Sequence, residues 1–110
     1  MTKTTATLIV AVTILMAACG TVSLVGRSFP SPDPGMITPG KTDKAFLLRV
    51  FGEPYQVGLE SGNQLWKWFY NEGVTGKSTK ELNVTFNPDN QTVKSYSFLS
   101  NFPQDMSRMK

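Results

Sequence analysis

The sequence predicts an α+β domain, in which one or two short helices pack on a three- to four-stranded antiparallel meander. Three observations carry that expectation. Residues 40–54 have helical spacing with a start and a stop signal. Three later stretches alternate apolar and polar residues with a period of two, separated by turn residues. The stretch before the helix, residues 20–40, holds four of the seven prolines and four glycines, a density that resists regular structure.

The helix is read from "GKTDKAFLLRVFGEP". Thr42 is the expected N-cap, and Asp43 complements the dipole of the first turn. Phe46, Leu47, Val50 and Phe51 fall on one face. Gly52 offers the left-handed position past the end, and Pro54 prevents continuation. A helix this short is unstable alone, so its apolar face must dock on something.

The strands follow. "NQLWKWFYN" (63–71) puts Trp66, Trp68 and Tyr70 on one face and Leu65, Lys67 and Phe69 on the other. "TKELNVTFN" (79–87) opposes Leu82, Val84 and Phe86 to Glu81, Asn83 and Thr85. "QTVKSYSFLS" (91–100) is the third strand, reached through the turn "NPDN". A leading strand over 55–59 turns at "ESGN". Aromatics on both faces of one strand exceed what a single helix covers, so Trp66, Trp68, Phe69 and Tyr70 are the candidate partner-binding residues. One face must be core. The other is either a partner surface or is covered by the tail through Phe98 and Phe102.

Composition narrows the chemistry. The chain has 110 residues, no histidine, one cysteine and a net charge of +3. It therefore has no Cys–His pair, no Ser–His–Asp triad and no zinc ligand set. The carboxylates Glu53, Glu60, Glu72, Glu81 and Asp89 are isolated in sequence and read as solvated surface groups. Basic residues alternate with acidic ones, unlike a nucleic-acid footprint. The expectation is no enzyme, no metal, no cofactor and no nucleic-acid partner. "NVT", "NQT" and the Gly-Lys-Ser of "GVTGKST" read as plain connections and strand residues, with neither a glycan nor a phosphate loop.

Residues 6–18 are apolar apart from Thr7 and Thr13, shorter than the roughly 20 residues of a membrane span. Such a stretch fits a signal peptide over 1–18, with Lys3 ahead of it and Ala17 and Ala18 at the cleavage point. "LMAAC" (15–19) resembles a bacterial lipobox. That resemblance implies lipidation of Cys19, including diacylglyceryl and palmitate chains, which together hold a protein firmly to a membrane. Gly20, where an aspartate would retain the protein at the inner membrane, implies the cell outer membrane, facing the periplasm. Residues 19–39 are then a Pro/Gly-rich tether, with Phe29, Met36 and Ile37 tucked against the domain edge. Residues 40–100 are the domain and 101–110 a tail.

The order of elements resembles the SmpA/OmlA (BamE-like) domain over roughly residues 37–98. Gly40 and Thr42 match its helix opening, and Phe51, Gly52 and Pro54 its helix end. Trp66, Trp68 and Tyr70 match its aromatic strand, and Leu82, Val84, Phe86 and Asn87 the next one. The resemblance implies a protein-binding scaffold among the subunits of the outer-membrane β-barrel assembly machinery. The alternative is a stand-alone envelope lipoprotein of beta-lactamase-inhibitor-protein-like fold, which binds a periplasmic protein or an amphiphile.

Overall fold

A computed structural model describes residues 25–72 and 77–110. The expected signal peptide (1–18) and Cys19 lie outside these residues.

Two helices pack on an antiparallel sheet, the α+β arrangement expected from the sequence. The strands are β1 (Val25–Gly26), β2 (Gln56–Glu60), β3 (Asn63–Asn71), β4 (Thr79–Phe86) and β5 (Val93–Ser100). The helices are α1 (Lys44–Phe51) and α2 (Pro103–Met109). β2 to β5 form a meander, while β1 lies on the same side of β3 as β2, opposite its last two residues.

The β2–β3 hairpin closes through Ser61 and Gly62, both with positive φ (50° and 83°). That pairing matches the right-handed twist of the strands, which two-residue hairpins need. It sets Val57 opposite Trp66 and Leu59 opposite Gln64. β3 pairs with β4 so that Trp68 faces Leu82 and Trp66 faces Val84. A bulge at Thr85/Phe86 shifts the β4–β5 register, and both Phe86 and Val93 are buried.

Asp43, not Thr42, caps α1: its carboxylate accepts from the Phe46 amide at 2.9 Å. Thr42 is committed elsewhere. Its hydroxyl accepts from the Thr38 amide at 2.8 Å, and its carbonyl accepts from the Val93 amide at 2.8 Å. Gly52 ends the helix with φ 81°, donating its N–H to the Leu48 carbonyl. Of the predicted apolar face, Leu47 and Phe51 are buried, with Phe46 and Val50 packed beside them.

The core holds Leu47, Phe51, Trp68, Leu82, Val84, Phe86 and Val93, joined by Phe29 and Ile37. The last two change the reading of the N-terminal stretch. Phe29 and Ile37 are central to the core and do not merely lie at its edge, so the domain starts well before residue 40. Proline density argued only against helix and strand. It said nothing against an irregular chain that packs its apolar side chains. The tail differs likewise, since residues 103–109 form α2.

Candidate interaction surface

β3 divides the sheet. Its even-numbered side chains point into the core. Trp68 is 2% exposed, tilts against Phe51 at 5.8 Å and donates its indole N–H to the Gly52 carbonyl at 3.0 Å. This sequence-predicted partner residue is therefore a core residue with no surface to offer. Trp66 is half-buried, edge-on to Phe86 at 4.9 Å, with the Lys44 ammonium 5.2 Å from its ring centre. The same ammonium donates to the Gln64 side-chain carbonyl. Tyr70 stacks on Phe102 at 6.0 Å. Helix and tail thus cover the same side of the sheet, because Phe102 and Phe98 both pack on the Trp68 face.

The opposite face has no covering element among the described residues. Phe69, the fourth candidate, lies there, half-buried, with Tyr55 5.8 Å away. The register carries the row on to Glu81 and then Leu99, which is 64% exposed. Lys67 reaches Glu81 at 3.0 Å, and the hydroxyls of Thr85 and Ser95 share a hydrogen bond of 2.6 Å. The result is an apolar row (Tyr55, Phe69, Leu99) around an ion pair. Such a mixture suits a polypeptide partner, whose interface combines aromatic anchors with paired charges.

A second exposed apolar pair lies on the other side of the sheet. Val57 and Leu59 on β2 pair with Trp66 and Gln64, so they share the face of the core, yet they are 69% and 72% exposed. Val57, Leu59 and Leu99 were not singled out from the sequence; the signals that could have found them are the alternation of "QVGLE" and the odd phase of Leu99 beside Phe98.

On the covered side, α2 is held by polar contacts instead of an apolar stripe. Asp105 is buried and accepts from the hydroxyls of Ser31 at 2.8 Å and Ser100 at 2.6 Å, and from Arg108 at 3.2 Å. Arg108 also pairs with Asp33. The Lys80 ammonium donates to the Phe29 carbonyl and, at 3.2 Å, to the Ser31 hydroxyl. Burial pulls the Lys80 pKa below the ordinary amine range; Asp105 opposes that shift and Arg108 adds to it. Nothing in the sequence pattern announced this cluster, since its members are spread from residue 31 to residue 108.

A groove of about 240 Å³ between Pro32, Pro34, Tyr96, Phe98 and Met109 falls below the roughly 300–1,000 Å³ of small-molecule sites. Among the described residues, no group of three or more His, Cys, Asp or Glu side chains is placed to hold a metal ion. Comparison with family models, curated proteins and solved structures finds no match to this chain.

Proposed function

We propose that this protein is a lipid-anchored component of the outer membrane, facing the periplasm, and that its domain is a scaffold that binds other proteins of β-barrel assembly. It turns over no substrate and carries no cofactor. The observation that carries the reading is the uncovered sheet face, with its apolar row of Tyr55, Phe69 and Leu99 around the Lys67–Glu81 pair. The lipobox-like "LMAAC" supports the anchor, and the order of helix and strands supports the kinship with the SmpA/OmlA domain.

Two measurements test it. Radiolabelled palmitate is expected in the wild type and not in Cys19→Ala; an unlabelled wild type, or equal labelling of both, defeats the anchor. Affinity capture from detergent-solubilised membranes is expected to recover barrel-assembly subunits, and the double variant Phe69→Ser, Leu99→Ser to lose them. Both changes lie off the core face. Recovery of a single soluble periplasmic protein instead would replace this reading with that of a stand-alone binding module.

A further inference from the structure

Gly26 and Phe29 define where the chain enters the fold. Gly26 has φ +78° and runs so close to β3 that a Cβ there would lie 2.1 Å from the Phe69 carbonyl oxygen. The Arg27 amide donates to that same oxygen at 3.2 Å, and Phe29 is 4% exposed in the core. The chain is therefore pinned from residue 26 onward. From Cys19 to Val25 there are six peptide units, which span at most about 21 Å. A leash of that length is much shorter than one running to residue 39.

The exit point has a definite place on the sheet. Val25 lies opposite Asn71, at the end where Glu72 donates its amide to the Ser78 carbonyl and Asn101 donates its amide to the Thr79 carbonyl. The β2–β3 turn at Ser61–Gly62 and the β4–β5 turn around Asp89 sit at the other end, while the β3–β4 connection lies at the Val25 end. The nine residues of β3 put the two ends about 30 Å apart.

We propose that the Val25–Asn71 end of the sheet rests against the bilayer surface and that the two hairpin turns point away from it. The partner of this end is a lipid surface, and the proposal rests on the anchor at Cys19. With the sheet upright, its open face and the β2 edge both run outward from the membrane. A partner that covers the full length of the open face is then itself membrane-adjacent.

The test uses the full lipidated chain in vesicles of phosphatidylethanolamine and phosphatidylglycerol that contain a lipid with a nitroxide headgroup. Acylation leaves Cys19 unreactive, so a fluorophore reports from one introduced thiol: Glu72→Cys or Ser78→Cys near the bilayer, or Asp89→Cys at the far end. Quenching at the two near positions is expected to exceed that at Asp89→Cys by about threefold or more. Inserting about sixty Gly/Ser residues after Gly20, with an r.m.s. reach of about 43 Å, is expected to erase the difference. Palmitate incorporation is read on the same samples. Absence of palmitate overturns the anchor and this placement with it. Palmitate present with equal quenching at both ends, or with stronger quenching at Asp89→Cys, overturns the placement alone.

Discussion

Trp68 and Asp105 hold the covered side of the sheet together by different means. Trp68 fills the space beneath α1 and satisfies the Gly52 carbonyl, so Trp68→Ala opens a cavity and orphans an acceptor. Its expected cost is about 3–5 kcal/mol, read as a lower midpoint in urea unfolding. A domain of this size has a total stability of the same order, so the variant is expected to be largely unfolded. Asp105→Ala removes the shared acceptor of Ser31, Ser100 and Arg108. About 2–4 kcal/mol is expected to be lost in the same measurement. Lys80 gives a pH signature. Its folded pKa lies below the 10.5 of an ordinary lysine amine because burial disfavours the charged form. Below the folded pKa the amine is protonated in both states, and the fold bears the full cost of burying the charge. As pH rises from the folded pKa toward 10.5, the unfolded chain holds more protons than the fold, so this group's contribution to stability increases. Unfolding of the wild type and of Lys80→Met at successive pH values checks this. The difference is expected to move in favour of the wild type across that window, and a constant difference refutes it.

α1 was legible because its ends carry chemistry: a short polar residue before it, glycine and proline after it, and two apolar pairs a turn apart. The cap itself was placed one residue early, since nothing in "KTDK" reveals that the Thr42 hydroxyl is taken by the Thr38 amide. Asp43→Ala is expected to cost about 1 kcal/mol, checked by thermal unfolding, and Thr42→Ala less. The strands were legible from their period of two, which fixes the two faces of a sheet but not what covers each. α2 was not legible. "PQDMSRM" has no apolar stripe, and its position depends on Asp105 meeting residues far away in the chain. Residues 26–39 were legible in part: Phe29, Met36 and Ile37 were expected against the domain edge, but irregular backbone has no period, so the full burial of Phe29 and Ile37 could not be read.

Taken as one body, the domain is covered on one side and open on the other. Truncation after Asn101 tests how far the covered side relies on α2. It strips the stacking partner from Tyr70 and leaves Lys80 without Asp105. Phe29 and Tyr70 are expected to become accessible, giving increased binding of a hydrophobic dye and faster proteolysis between residues 29 and 40. Unchanged dye binding and proteolysis count against this division of labour. Phe69→Ser, by contrast, is expected to leave unfolding nearly unchanged, because the side chain lies outside the buried cluster.

The hydrogen bond from Ser31 to Asp105 joins positions 74 apart in the chain, and the Arg108 contact to Asp33 joins positions 75 apart. Each closes a loop that contains all of β2 to β5, and closing so long a loop costs entropy unless the sheet has already brought its ends together. The two contacts therefore act as a clasp that fastens after the sheet has formed, not before it.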